Sequence, residues 1–323
     1  MIEVKNISKY YGTKVGVKDI NFTVESGEIV GLLGPNGSGK STTMKMITGY
    51  MPPSEGTIVV DGYDILDKPK EVTNRIGFLP EIPPLYPEMQ VNEFLSFIAR
   101  IKGVDKRRLK SHVNDVMEMT SITHVKERLI RNLSKGYRQR VGLAQAIISD
   151  PPILIFDEPT VGLDPKQINE VRQLIRKLGE AHTVILSSHI LAEASMICER
   201  VVILNKGRIA AVDTTENLAM GMADTGRFLL KLKGDVREVE QVLETVEGII
   251  GIEPIDNERQ NLAGYCGFII TNERDTEVRE PLFYAMSRKG IPIMELRSIG
   301  MTLEEIFLQL TSEKTDEGKE LQV

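Results

Sequence analysis

The eight residues Gly34-Pro35-Asn36-Gly37-Ser38-Gly39-Lys40-Ser41 fit the pattern G-x-x-x-x-G-K-[ST], which is built to hold phosphate. Successive backbone N–H groups through Asn36, Gly37, Ser38 and Gly39 can point at one anion, and the helix start at Ser41 and Thr42 adds partial positive charge. Lys40 supplies a full charge for β- and γ-phosphates, and the Ser41 hydroxyl can ligate Mg²⁺. Far along the chain, Asp157 and Glu158 close the apolar run Ile153-Leu154-Ile155-Phe156. An Asp there can hold Mg²⁺ through water, and the adjacent Glu can orient or deprotonate an attacking water. The competing reading is an acidic cap on the next turn. His189 falls just past the run Thr183–Ser187, on the same rim, where it can hydrogen-bond a γ-phosphate or water.

These groups need a parallel sheet to carry them. Ile29-Val30-Gly31-Leu32-Leu33 reads as a buried strand and Lys40 to Ile47 as the helix after the loop. Ile153 to Phe156 reads as a central strand buried on both faces, and such sheets bind ligands at the C-terminal ends of their strands. Before the loop, Ile2–Ile7 and Ile20–Val24 alternate as strands, with Tyr10, Tyr11 and Gly12 in the connection. Tyr11 there is either a platform for a nucleotide base or a half-buried tyrosine, and spacing alone does not choose. Gly56–Gly62 and Arg75–Leu79 read as further strands. Pro80 to Pro87 places four prolines in eight residues, a stiff loop on which Leu85 and Tyr86 form a docking surface or a local plug.

From Val91 to about Ser149 the pattern is helical: Val91, Phe94, Leu95 and Ile98 recur at helical spacing, a second helix fits Asp105–Met119, and a third follows Gly136. A helix over Lys166–Gly179 and a hairpin around Asn205-Lys206-Gly207 come next, then a linker at Met220–Gly226. The remainder runs β-α-β-β-α-β, the split βαβ, ferredoxin-like order, followed by a helix at Leu303–Leu310 and a polar tail. The domain boundaries that follow are 1–220, with a helical subdomain at about 88–149, then 227–311, then the tail 312–323.

A hydrophobic share of 41% and a charged share of 27% are those of an ordinary globular protein, and a net charge of −6 disfavours a nucleic-acid surface. The basic run Lys106-Arg107-Arg108-Leu109-Lys110 reads as a solvated helix face. Cys198 and Cys266 are too few and too far apart for a metal site or a disulfide frame, which suits a reducing cytosol. No stretch approaches the ~20 apolar residues needed to cross a bilayer, so a membrane role requires a separate spanning partner.

From Met1 to about Val212 the chain resembles the nucleotide-binding subunit of an ABC transporter. Gly34 to Ser41 matches Walker A and Ile153 to Glu158 Walker B. Leu133-Ser134-Lys135-Gly136-Tyr137-Arg138-Gln139-Arg140 resembles the LSGGQ signature, Val161-Gly162-Leu163-Asp164-Pro165 the D-loop, and His189 the switch histidine. The resemblance implies an α/β P-loop NTPase fold of ABC ATPase type with a helical subdomain, here followed by a small α+β, ferredoxin-like domain. It implies ATP and Mg²⁺, with Tyr11 as the base-stacking aromatic, Glu158 and His189 as catalytic residues, and Ser41, Glu81 and Asp157 toward the metal. It also implies a homodimer in which Ser134 and Gly136 of one subunit meet the γ-phosphate held by Walker A of the other, seated on the inner face of the cell membrane through an integral membrane permease.

Three positions depart from the family pattern. Glu81 stands where glutamine is usual; it keeps an oxygen for Mg²⁺ or water, loses the amide donor and adds a negative charge. Lys135 replaces a signature glycine and Tyr137 the glutamine; Lys135 either tolerates the loop or adds positive charge toward the nucleotide. Leu79-Pro80-Glu81, the signature form and the end Leu303-Glu304-Glu305-Ile306-Phe307-Leu308 look most like ATPases of type-2 exporters of the multidrug, gliding-motility and copper-site-maturation kind. By that likeness Ile82–Met89 and the helix after it form the permease groove. The alternative, a soluble ABC ATPase remodelling a nucleic-acid or ribosomal complex, fits less well, because such members carry two cassettes or a long coiled coil.

Overall fold

The computed structural model describes residues 1–221, 226–255, 264–273 and 276–298. The chain divides into two units, the first comprising Met1–Thr215 and the second opening at Glu216.

In the first unit two sheets share a core. The strands β1 (Ile2–Tyr11), β2 (Lys14–Val24), β4 (Glu55–Val60) and β5 (Tyr63–Asp64) form an antiparallel sheet in the order β2-β1-β4-β5. The strands β3 (Ile29–Leu33), β6 (Ile76–Leu79), β7 (Ile153–Phe156), β8 (Thr183–Ser188), β9 (Arg200–Asn205) and β10 (Arg208–Thr214) form a second sheet in the order β10-β9-β3-β8-β7-β6. Its pairings from β9 to β6 are parallel, and β10 closes it as an antiparallel hairpin with β9. Every residue of β7 and β8 is buried, as a strand covered on both faces requires. Helix α1 (Lys40–Ile47) sends Met44, Met46 and Ile47 into the core between the sheets, against Ile2, Ile20 and Ile58 on one side and Leu32, Ile155 and Val202 on the other.

Helix α2 (Pro69–Asn74) precedes β6. The helices α3 (Val91–Ile101), α4 (Leu109–Met119) and α5 (Lys135–Ile147) interrupt the alternation, while α6 (Pro165–Gly179), α7 (Leu191–Ala194) and α8 (Thr215–Gly221) follow β7, β8 and β10. Val91, Phe94 and Leu95 are buried as the spacing requires, but the stripe ends on Ala99, with Ile98 half-buried. Asp105 does not start a helix: its carboxylate accepts the N–H of Arg107 at 2.8 Å, an Asx turn that delays α4 to Leu109. The basic residues Lys106, Arg107 and Arg108 therefore sit on an exposed turn and not on a helix face. Likewise α8 runs to Gly221, into the segment read as linker.

The second unit places β11 (Arg227–Lys233), α9 (Val236–Leu243), β12 (Ile249–Ile255), β13 (Tyr265–Asn272), α10 (Arg279–Arg288) and β14 (Ile293–Ser298) in the order β-α-β-β-α-β. Its sheet is antiparallel throughout, β12-β13-β11-β14. Leu230, Leu232, Phe268 and Ile270 pack under Val239, Leu243, Leu282 and Met286 of the two helices. The expected helix at Leu303–Leu310 and the polar tail lie outside the described residues. Among those residues no helix is long and apolar enough to cross a membrane. Cys198 and Cys266 are both buried and unpaired, and burial pushes both thiols up.

Candidate functional site

The end of β3 turns so tightly that its first loop residue must be glycine. Gly34 has φ +153°, and a Cβ there would collide with the carbonyl oxygen of Leu204 on β9 and with Ser38 Oγ. At the other end Gly39, φ +107°, caps α1 where a Cβ would strike Val17 of β2. Between them the loop is pinned to the β9–β10 turn, because the N–H of Gly207 donates to the carbonyl of Ser38 at 3.0 Å. Ser38 itself is buried, and its hydroxyl has no hydrogen-bond partner.

Lys40, the first residue of α1, is 6% exposed. Its Nζ donates to the carbonyl oxygens of Gly34 at 2.7 Å and Pro35 at 3.2 Å, and stands 3.8 Å from Glu158 Oε1. Burial lowers its pKa; the nearby charges of Glu158, Asp157 and Glu81 oppose that shift. A buried ammonium held by carbonyls along one side of a loop is suited to a polyanion.

The two carboxylates arrive from β7. Leu186 of β8 pairs with Phe156, and Ser188 of β8 pairs with Leu33, so the C-terminal ends of β3, β8 and β7 lie side by side. Asp157 is 3% exposed; its Oδ1 accepts the Ser187 hydroxyl at 2.6 Å and the Ser41 hydroxyl at 3.3 Å. Glu158 is also buried, and its N–H donates to Ser187 Oγ at 2.8 Å. It lies at φ +49°, in the left-handed region, and directly precedes Pro159. His189, with Nδ1 carrying the hydrogen, donates to Glu158 Oε2 at 3.0 Å.

A cavity of about 630 Å³, within the size range of small-ligand sites, opens over these groups. Asn36, Gly37, Gly39, Lys40, Ser41 and Thr42 line it, together with Glu81, Glu158, His189 and Tyr11. Tyr11 is not on a loop: β1 extends to it, and it pairs with Lys14 across the tight turn Gly12-Thr13. Its ring is half exposed and its hydroxyl reaches Met51 Sδ at 3.3 Å. The Ser41 hydroxyl and the Asp157 carboxylate offer neighbouring hard oxygen donors of the kind Mg²⁺ takes.

Ser134 and Gly136 are not at this cavity. The signature helix opens at Lys135 and not after Gly136, with Ser134 as its cap accepting the N–H of Tyr137 at 3.4 Å. Gly136 is buried against Gln167, and a Cβ there would meet that side-chain amide. Lys135 lays its ammonium on Gly162, in the loop after Glu158. On the proline-rich loop, Leu85 is half-buried, while Ile82, at 82%, and Tyr86 are exposed, the Tyr86 ring meeting Phe94 edge-on at 5.8 Å. A groove of about 430 Å³ runs between Ile82, Pro83, Leu85 and Ile130. Ser187 escapes sequence reasoning, because a serine ending an apolar strand carries no spacing signal until its neighbouring strand is known.

Residues 17–161 match the family model described as ABC transporter. The chain is 37% identical over 312 residues to the linearmycin resistance ATP-binding protein LnrL of Bacillus subtilis strain 168, covering 96% of this chain and 98% of that one. It is 30% identical over 312 residues to the Nod factor export ATP-binding protein I of Cupriavidus metallidurans, covering 96% and 97%. Among solved structures it is similar to a dimeric bacterial ABC transporter cassette, with TM-score 0.62, 29% identity and coverage of 66% of this chain and 98% of that one. A dimeric post-hydrolysis cassette bound to ADP and Pi aligns with TM-score 0.61 and 28% identity over the same shares.

Proposed function

This chain belongs to the family of ABC transporter ATP-binding proteins, and on that premise we propose that two copies hydrolyse ATP at shared sites and so drive a separate membrane-spanning permease. It is an ATPase subunit of exporter type, like the relatives named for linearmycin resistance and Nod factor export. The observation that carries the residue assignment is the convergence of Lys40, Glu158 and His189, from three distant stretches, on one cavity, with Asp157 bonded to Ser41 of its lining. The relatives reported do not single out a multidrug, gliding-motility or copper-site role, so the reading stays at exporter ATPase.

Lys40 and the N–H groups of Asn36 to Ser41 bind the β- and γ-phosphates, Thr42 extends that lining, and Tyr11 stacks on the base. Ser41, Asp157 and Glu81 would hold Mg²⁺, which when bound offsets charge on the phosphate oxygens. Glu158 orients the attacking water and takes its proton while the water oxygen bonds to the γ-phosphorus; the bond to the β–γ bridging oxygen breaks and ADP leaves with that oxygen. His189 holds the Glu158 carboxylate through Nδ1.

Ser134 and Gly136 lie away from their own chain's cavity, which supports a head-to-tail homodimer in which they complete the site of the other copy. The permease would dock at Ile82–Met89, where the apolar groove and exposed Ile82 lie. We assign 1–220 to the ATPase, with 88–149 as its helical subdomain, and 227–311 to an accessory domain. Its strand order, fourth-first-third-second with antiparallel neighbours, favours the ferredoxin-like reading.

The test is Glu158→Gln. The variant should bind ATP as the parent does, lose about 10²- to 10⁴-fold in turnover and accumulate an ATP-bound dimer on size exclusion. Steady-state hydrolysis equal to the parent would remove Glu158 from its role.

A further inference from the structure

We propose that Ser187 is the positioning residue that sets both carboxylates of the hydrolytic site, an inference that rests on the roles given above to Asp157 and Glu158. Ser187 is fully buried at the end of β8, between the phosphate loop's strand β3 and the carboxylates' strand β7. A hydroxyl has one hydrogen and two lone pairs. Here the hydrogen goes to Asp157 Oδ1 at 2.6 Å, the short length of a charge-assisted bond, and one lone pair receives the Glu158 N–H at 2.8 Å. A single oxygen thus ties the side chain of one acid to the backbone of the next.

Each tie answers a physical need. Asp157 Oδ1 is shared between Ser187 and Ser41, but the Ser41 contact is the longer, at 3.3 Å. When Ser41 turns its hydroxyl toward a cation, Ser187 keeps the carboxylate from rotating with it. Glu158 occupies a backbone conformation that costs on the order of 1–3 kcal/mol in a non-glycine residue, and it precedes a proline, which favours extended backbone instead. Such a conformation persists only where the surroundings over-determine it. The N–H bond to Ser187 is one restraint on it, and the His189 contact to Oε2 is another.

Ser187 is not among the residues lining the cavity; it acts through Asp157 and Glu158. Its removal should therefore spare nucleotide binding by the loop while damaging metal binding and turnover. In the full chain, Ser187→Ala should weaken Mn²⁺ binding to the complex with a non-hydrolysable ATP analogue, read by electron paramagnetic resonance, by about 10- to 100-fold, with a comparable fall in kcat. ATP binding in EDTA should stay within about twofold, because Lys40 and the loop are unaltered. Ser187→Cys keeps the size with a weak donor and serves in the same measurements should the alanine variant fail to fold.

Mn²⁺ affinity and kcat both matching the parent would overturn the proposal. So would a parallel loss of metal-free ATP binding, which marks a merely structural role. If Ser187→Ala is silent while Glu158→Gln arrests turnover, only the positioning role fails; if Glu158→Gln also turns over normally, the underlying assignment fails.

Discussion

Glu81, Asp157 and Glu158 all place negative charge around the Lys40 ammonium, and a triphosphate entering the cavity meets them as well. Asp157 and Glu158 are buried and bonded, whereas Glu81 is exposed on the cavity wall with nothing restraining its field but water. An exposed charge of this kind is worth about 0.2–1 kcal/mol. Glu81→Gln should thus tighten ATP binding in EDTA by up to about fivefold and raise the Mg²⁺ concentration needed for half-maximal hydrolysis. Equal behaviour of variant and parent in both titrations would show that Glu81 does not act on the phosphates. Lys135, for its part, answers to the loop and not to its own chain's nucleotide cavity, since its ammonium rests on Gly162.

The strand that carries the phosphate loop is fastened at its start by an ion pair. Glu28 receives the Nε and Nη2 of Arg200 from β9 at 2.6 and 2.9 Å, and Arg200 also donates to the carbonyl of Thr23 at the end of β2. Burial pushes the Glu28 carboxyl up, but the Arg200 hydrogen bonds and the Glu25 N–H more than offset this and hold it below its ordinary 4.5. A carboxyl depressed on folding stabilises the folded state above its unfolded pKa and loses that effect as pH falls through the folded value. Glu28→Gln should therefore cost about 1 kcal/mol at neutral pH by urea titration, with the difference from the parent closing as pH falls below 4.5. A difference that persists at low pH would mean that packing, not charge, is what Glu28 supplies. Local patterns are legible in the sequence where one stretch carries the whole signal: the loop from Gly34, the continuous apolar run of β7, the helical spacing of Phe94 and Leu95. What the sequence hides is neighbourhood. Ser187 matters because β8 lies beside β7, Tyr11 is on a strand because Lys14 pairs with it, and the side-chain hydrogen bond of the Asx turn at Asp105 delays a helix that the stripe alone starts earlier.

Taken singly, the chain holds half of each proposed site, because Ser134 caps, and Gly136 lies in the first turn of, a helix whose start does not line its own chain's phosphate cavity. The separation permits a complementation test. A Lys40→Ala chain and a Ser134→Arg chain are each expected to be inactive as homodimers, one lacking phosphate binding and the other the facing cap. Mixed one to one, half of the dimers pair them and contain one intact site of two, so activity should return to about a quarter of the parent's under two-fold symmetry. Mixtures as silent as their components would remove the shared site. The sheet order has a bearing on how the molecule is made. β3, which ends in the phosphate loop, hydrogen-bonds only to β8 and β9, and both lie beyond residue 182. During synthesis the loop's strand emerges well before either neighbour, and at about 5–20 residues per second it waits roughly ten to thirty seconds for them. For that interval an apolar strand with two bare edges hangs from the ribosome, and nucleotide cannot reward its burial. Synthesis rate, which sets the length of that exposure, should then bear on how much active ATPase a cell obtains.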